Sequence, residues 1–375
     1  MDPLAIANRL SDQILRPLKA LFVGKEEIID LMGIALAGGE NLFLHGPPGT
    51  AKSALVHELA RRLDGRAFDY LLTRFTEPSE LFGPFDIRRL REGDLVTNTE
   101  GMLPEADFIF LDELLNANSA ILNSLLLVLN ERVFRRGRET RRLPSLMVVG
   151  ASNHLPEEEA LKALFDRFLL RVHCGYVPEE SLAAVIEAGW ELEKMRRAAP
   201  PSAGITAADI RKLQESLPEV DLSAVRPAYL ALVSRLRAGG IEVSDRRAVK
   251  LQRVVAASAL MCGRMMARVS DLWVLRCIWD REEQRELLAA MVHEALAKEA
   301  PESSDHPQAH GAGAPDPEAL GRDIDTLAAT WQELAAGVAS DQLSALAARI
   351  PWVPQTEART ALQEKVEALW RRAAA

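Results

Sequence analysis

Up to about residue 177 the chain alternates two kinds of apolar pattern. Short continuous apolar runs bounded by turn residues fall at Asn41–His45, Phe68–Leu72, Phe108–Leu111, Leu146–Gly150 and Leu169–Val172, and stretches of helical spacing separate several of them. A continuous apolar run this short reads as a strand buried on both faces. Strands separated by helices build a parallel sheet with helices on either side, so an α/β domain is expected here. Residues from Pro3 to Ala37 read as two helices broken near Val23-Gly24. Gly38-Gly39 then stops the second, because glycine takes the left-handed conformation that ends a helix without strain.

After Pro178 the strand signal stops. Pro178–Arg197, Ala207–Leu217, Ala224–Ala238, Asp245–Gly263 and Glu282–Ala297 have helical composition and spacing. Pro301–Pro317 is rich in Pro, Gly, Ser and His and nearly free of bulky apolar residues, which predicts a flexible linker. Beyond it, Leu320, Ile324, Leu327, Trp331, Leu334 and Val338 alternate spacings of four and three, and Leu362, Val366 and Leu369 repeat the stripe more briefly. Such a stripe packs on another helix, of this chain or of a partner. The expected organisation is an α/β domain over 1–177, a helical domain over 178–299, a linker over 300–317 and a C-terminal helical segment over 318–375.

Composition narrows the class. With 48% hydrophobic and 26% charged residues among 375, the chain is an ordinary globular protein of two or three domains. Lys+Arg 45 against Asp+Glu 54 gives a net charge of −9, so there is no general attraction to nucleic-acid phosphates or anionic membranes. Cys174, Cys262 and Cys277 are far apart and form no CxxC pair, which suits buried thiols in a reducing compartment. The first residues lack a basic stretch followed by an apolar core, and no apolar run reaches membrane-spanning length. A soluble cytoplasmic protein without membrane insertion is expected.

The candidate chemistry begins directly after the first strand. Gly46-Pro47-Pro48-Gly49-Thr50-Ala51-Lys52-Ser53 follows Asn41–His45 and leads into a helix over Ala54–Leu63. Strand, glycine-containing loop and helix start are the context of a phosphate-binding P-loop. Loop amides and the helix N-terminus point at phosphate oxygens, Lys52 reaches the β- and γ-phosphates, and the Ser53 hydroxyl suits Mg²⁺. Ala51 stands where the usual pattern has glycine, and its methyl group restricts the backbone there.

Phe108-Ile109-Phe110-Leu111 ends in Asp112-Glu113, which places two carboxylates at the carboxyl edge of the sheet. Asp112 suits a Mg²⁺ role through water, opposite Ser53, and Glu113 suits a general base that polarises the attacking water. At the end of Leu146–Ala151, Asn153 offers a neutral amide to that water or to the γ-phosphate. Asp166-Arg167-Phe168 and Arg171 lie before and within the last strand.

In this order, GPPGTAKS, FIFLDE, GASN and ALFDRFLLRV resemble the MoxR family of AAA+ ATPases. The run from Arg74 to Pro84 and Ser244-Asp245-Arg246-Arg247 are similar to its RavA branch. The likeness covers roughly Leu21 to Glu299.

The resemblance implies a P-loop AAA+ sheet of strand order 5-1-4-3-2 followed by an all-helical lid. It also implies a ring of identical subunits, commonly a hexamer. ATP and Mg²⁺ are the implied cofactors, held by Gly46, Pro47, Pro48, Gly49, Thr50, Ala51, Lys52, Ser53 and Ala54, with Val23 and Gly24 near the adenine. An arginine finger reaching the neighbouring subunit's ATP falls on Arg167, with Arg171 in reserve, and a lid sensor on Arg246 in preference to Arg247. The implied activity is ATP hydrolysis that remodels or activates a protein substrate. The implied partner is a von Willebrand factor A protein carrying a metal-dependent adhesion site.

Three further features are noted. Phe82–Ile87 and Asp94–Thr97 flank charged residues and read as a projecting hairpin, where related motors carry a helical insert. Arg132, Arg135, Arg136, Arg138, Arg141 and Arg142 crowd around Gly137, as a nucleic-acid patch or, with more support, a solvated or intersubunit hairpin. The histidines show no metal-ligand arrangement, since His306 and His310 fall in the linker. A nucleic-acid remodeller and an ATP-gated scaffold without turnover are the competing functions.

Overall fold

A computed structural model describes residues 2–91, 95–136, 139–196, 204–299, 302, 304–311, 317–331, 339, 343, 346–347, 350 and 356–373. The chain divides into two units, 1–309 and 310–375.

Each apolar run of the first half is a strand. β1 (Leu42–His45), β2 (Ala67–Leu71), β3 (Phe108–Asp112), β6 (Met147–Ser152) and β7 (Leu170–His173) form one sheet in the order β2-β3-β6-β1-β7. All neighbouring pairs are parallel. β4 (Val133–Arg136) and β5 (Glu139–Arg142) make a separate antiparallel hairpin. Without that hairpin the strand order is the expected 5-1-4-3-2. β1 and β6 are buried along their whole length, as continuous apolar runs require, whereas edge strand β2 alternates between buried Phe68 and exposed neighbours. Asn41, expected to open the first strand, instead donates from Nδ2 to the carbonyls of Leu129 and Arg167 at 3.2 and 3.1 Å.

The N-terminal helical stretch runs to Leu21 with a π-helical middle over Leu10–Leu15, and a second helix spans Glu26–Gly38. Gly39, at φ 66°, ends it with its N–H on Ala35 O, so the Gly-Gly stop works as the sequence suggests.

The helical part contains Leu182–Arg196, Ala207–Ser216, Arg226–Ala238, Asp245–Met261 and Gln284–Leu296. A 3₁₀ segment, Val269–Cys277, carries the fully buried Trp273 and was not legible from helical spacing. One continuous apolar core extends from Ile6 to Ala309 and joins sheet and helical part. The three cysteines form no disulfide.

The stretch expected as a linker behaves differently where it is described. His306 is buried and stacks on Trp273 with ring centroids 4.6 Å apart, and Pro307–Gly311 is helical. The second unit packs Leu320, Ile324 and Leu327 of the helix Pro317–Thr330 with Leu362, Val366 and Leu369 of Thr356–Ala373. The apolar stripe therefore finds a partner helix within this chain; Leu334 and Val338 lie outside the described residues. Among the described residues no helix is long and apolar enough to cross a membrane.

Candidate nucleotide-binding site

Three strand ends meet at the carboxyl edge of the sheet. β1 runs into Gly46, β3 ends in Asp112, and β6, which lies between them, leads to Asn153. Gly46 donates its N–H to Ser152 O at 3.2 Å, and a Cβ at Gly46 would stand 2.2 Å from Cys174 O. Only glycine lets the chain pass between these strands. Gly49 and Ala51 then take left-handed conformations, at φ 79° and 66°. They turn the loop into the helix Lys52–Arg62.

The loop holds its own lysine. Lys52 is buried, and Nζ donates to Gly46 O at 2.8 Å and Pro47 O at 2.9 Å. Those are carbonyl ligands that a phosphate would replace. Thr50 Oγ1 donates to Pro47 O at 2.9 Å. Ser53 Oγ donates to Asp112 Oδ2 at 3.0 Å, so a hydroxyl and a carboxylate from two elements converge, as a hard-oxygen Mg²⁺ site needs. Asp112 Oδ1 accepts from the Glu113 N–H at 3.0 Å, and Glu113 sits at φ 48°, which turns it away from the strand line. Asn153 is exposed, with Oδ1 2.8 Å from His154 Nδ1.

Val23 and Gly24 lie on the same side. An added Cβ on Gly24 would meet Val177 Cγ1 at 3.0 Å, and Lys25 Nζ donates to Gly175 O at 2.5 Å. Sequence reasoning missed Tyr176 in this segment. It is 72% exposed, yet its Oη donates to Pro48 O at 3.2 Å, placing an aromatic ring beside the P-loop. An exposed aromatic just after the last strand was the available signal.

The arginines divide. Arg171 is fully buried and donates to Ile278 O at 3.2 Å, Trp279 O at 2.8 Å and Asp280 Oδ1 at 2.5 Å. Burial lowers its pKa to about 9. It is a strut inside one subunit, which removes it as the reserve finger. Arg247, the reserve sensor, is likewise buried, bonded to Ile278 O and to Asp280 Oδ2 at 3.1 Å.

Arg167 and Arg246 are different. Arg167 pairs with Asp166 at 2.9 Å, and exposed Arg246 bonds to the Asn130 side chain. Both line one cleft with Asp166, Ser244 and Lys250. Arg167 O accepts from Asn41 at the start of β1, whereas the P-loop follows its end. At roughly 3.3 Å per residue a four-residue strand separates them by about 13 Å. The Arg167 backbone, and the cleft that it lines with Arg246, therefore lie about a strand's length from the P-loop of the same chain.

Residues 8–215 match the family described as the MoxR domain in the MoxR-vWA-beta-propeller ternary systems, and residues 225–292 match an AAA lid domain. The chain belongs to the MoxR family of AAA+ ATPases. It is 37% identical over 272 residues to an uncharacterized protein of Methanocaldococcus jannaschii, covering 72% of this chain and 70% of that one. The chaperone MoxR1 of Mycobacterium tuberculosis is 29% identical over 221 residues, covering 57% of this chain and 56% of MoxR1. A crystal structure of a candidate ATPase from Cytophaga hutchinsonii shares the fold, with TM-score 0.64 and 22% identity over 80% of this chain and 96% of that one.

In this MoxR chain the two other noted features support each other. Asp86 N donates to Val96 O and Asn98 N to Pro84 O, both at 2.8 Å, closing the segment expected as a hairpin. Its two flanks pair through an antiparallel bridge between Phe85 and Thr97, and the short helix Ile87–Arg91 follows the first flank; residues 92–94 lie outside the described residues. Arg136 of the arginine hairpin donates to Gly83 O at 2.7 Å and lies 3.9 Å over the Phe85 ring. Arg141 donates to Thr99 Oγ1 at 2.7 Å. These arginines are spent on holding the insert, which weakens the nucleic-acid reading; Gly137 and Arg138 lie outside the described residues.

Proposed function

We propose that this chain hydrolyses ATP to ADP and phosphate at the seams of a homo-oligomeric ring, a hexamer in our reading, and uses the resulting lid motion to remodel or activate a partner protein. The observation that carries this is the division of charged and polar groups between opposite edges of one sheet. Lys52, Ser53, Asp112, Glu113 and Asn153 stand at the carboxyl edge, while Arg167 and Arg246 gather about a strand's length away. A complete set around one triphosphate therefore needs two copies of the chain.

Within a seam, the amides of Gly46–Ala54 and Lys52 hold the phosphates, and Val23, Gly24 and Tyr176 border the base. Ser53, with Asp112 acting through water, would hold Mg²⁺, which screens phosphate charge when bound. Glu113 takes the proton from the attacking water, and Asn153 orients that water. Arg167, with Arg246 beside it, neutralises charge on the neighbour's transferring phosphoryl group.

The description of the matched family names a vWA component and a beta-propeller, which supports a von Willebrand factor A protein as partner. The RavA-like branch rests on the Arg74 to Pro84 run and on Ser244–Arg247. Phosphate release by wild type and Glu113→Gln tests the reading. Wild type should turn over ATP with Mg²⁺, and Glu113→Gln should bind ATP but lose about two to four orders of magnitude in rate. Equal rates would leave an ATP-gated scaffold instead.

A further inference from the structure

We propose that His45, His173 and Glu282 form a binding site for one divalent transition-metal ion of the zinc class, which clamps the helical lid to the strand that ends in the phosphate loop.

The site is assembled by the sheet. His45 and His173 are register partners on adjacent parallel strands, with ring centroids 5.6 Å apart. Strand alternation puts His173 on the face of β7 that carries Arg171, and Arg171 grips Asp280. Two residues further on, Glu282 arrives beside the imidazoles. One ligand atom from each of the three lies within 4.8 Å of the others. His173 Nδ1 stands 3.3 Å from Glu282 Oε1. Two ligands on a tetrahedral zinc with bonds near 2.1 Å would be about 3.4 Å apart.

A second observation points the same way. Nδ1 of His45 and Nδ1 of His173 are both buried and make no hydrogen bond among the described residues, although His173 Nδ1 has the Glu282 carboxylate at 3.3 Å. His45 is only 8% exposed. Buried polar nitrogens are rarely left without a partner, and a metal ion supplies one. Burial also holds both imidazoles below the ordinary histidine pKa, in the neutral form that ligates metal.

The donor set decides the ion. Two imidazoles and one carboxylate suit zinc, cobalt or nickel, whereas Mg²⁺ prefers an all-oxygen set. Three protein ligands leave a fourth position for water. Trp279 meets His45 edge-on at 6.1 Å and closes one side. Arg285 shares Glu282 at 3.3 Å, and the bound ion displaces that half-exposed guanidinium. Since His45 immediately precedes Gly46, occupancy couples lid position to the phosphate loop.

The test titrates the nucleotide-free full-length chain with Zn²⁺ by calorimetry and with Co²⁺ by visible absorption. Wild type should bind one equivalent and give the intense bands of tetrahedral cobalt. Glu282→Ala, at a partly exposed site that leaves the fold intact by circular dichroism, should weaken binding by more than about tenfold, as should His173→Ala. Asp112→Asn, which alters the oxygen pair with Ser53, should leave zinc binding unchanged. The proposal is overturned if folded wild type binds no stoichiometric zinc or cobalt, if binding survives both Glu282→Ala and His173→Ala, or if Asp112→Asn alone abolishes it. None of these outcomes depends on ATP turnover.

Discussion

Arg171 on the last strand and Asp280 in the helical part meet at 2.5 Å, with Arg171 fully buried. The guanidinium also caps three carbonyls, those of Phe165, Ile278 and Trp279, and lies 4.3 Å over the Phe165 ring. Arg247 reaches the same carboxylate, so two buried cations share one anion that is 30% exposed. Removing one partner of a buried pair costs about 3–5 kcal/mol. Arg171→Met should fall at the low end, about 3 kcal/mol, because Asp280 keeps Arg247 and some water. Denaturant unfolding measures it; a loss below about 1 kcal/mol would show that apolar packing, not this pair, anchors the lid.

Ala51 gives a second prediction. It occupies the left-handed region at φ 66°, where an L-residue with a Cβ is strained by roughly 1–2 kcal/mol. Ala51→Gly relieves that strain but adds freedom to the unfolded chain, worth about 0.4–1 kcal/mol in the opposite direction. Stability should therefore stay unchanged or rise by up to about 1.6 kcal/mol. Ala51→Val should lose more than Ala51→Gly in thermal melts and should bind nucleotide more weakly, because a β-branched residue fits this conformation worst. Equal behaviour of the two variants would mean the loop relaxes out of the left-handed turn.

What was legible in the sequence was local. The strands are continuous apolar runs, and the P-loop and the Asp112-Glu113 pair each sit at a strand end, so their positions follow once the sheet is recognised. Tertiary placement was not legible. Arg171 looks like any arginine near the last strand until Asp280, distant in sequence, is seen packed against it. Arg247 and Arg246 are adjacent, and only their helix phase buries one and exposes the other. His45 and His173 come from two strands and Glu282 from the turn before the helix Gln284–Leu296, so no spacing rule could join them. The Val269–Cys277 segment escaped because a 3₁₀ turn lacks the 3.6 period, and His306 escaped because its composition signalled a loop while Trp273 supplied a docking surface.

His306 makes a pH prediction. Burial against Trp273 lowers its pKa to about 3, against an ordinary 6.5. Below 6.5 the released histidine takes up a proton that the docked one refuses, so the docked state is favoured above pH 6.5. That advantage is lost progressively as pH falls from 6.5 towards 3. At about pH 5 the difference is about 2 kcal/mol. Asp30, with Oδ1 3.9 Å from Nε2, offsets little, because burial raises its own pKa and it already pairs with Lys19. Hydrogen exchange of residues 304–309 should speed up between pH 7 and pH 5 beyond the intrinsic chemical trend, and His306→Phe should remove the extra acceleration while keeping the stack. An unchanged pH response in His306→Phe would assign the effect to another group.

The placement of Arg167 and Arg246 away from their own P-loop predicts complementation between defective subunits. Lys52→Ala removes the charge that reaches the phosphates and should abolish nucleotide binding and turnover. Arg167→Ala keeps an intact P-loop, so it should bind ATP and assemble. Its turnover should fall by about three orders of magnitude, as loss of an arginine finger does elsewhere. Neither variant alone hydrolyses ATP well. In a mixed ring, however, an Arg167→Ala subunit supplies Lys52, Asp112 and Glu113, and a neighbouring Lys52→Ala subunit supplies Arg167, so one kind of seam is complete. Mixing inactive subunits should therefore restore a measurable fraction of wild-type phosphate release, and Arg246→Ala should be rescued by Lys52→Ala in the same way. If Arg167 instead served its own subunit, every seam in the mixture would lack one essential charge and no activity would return.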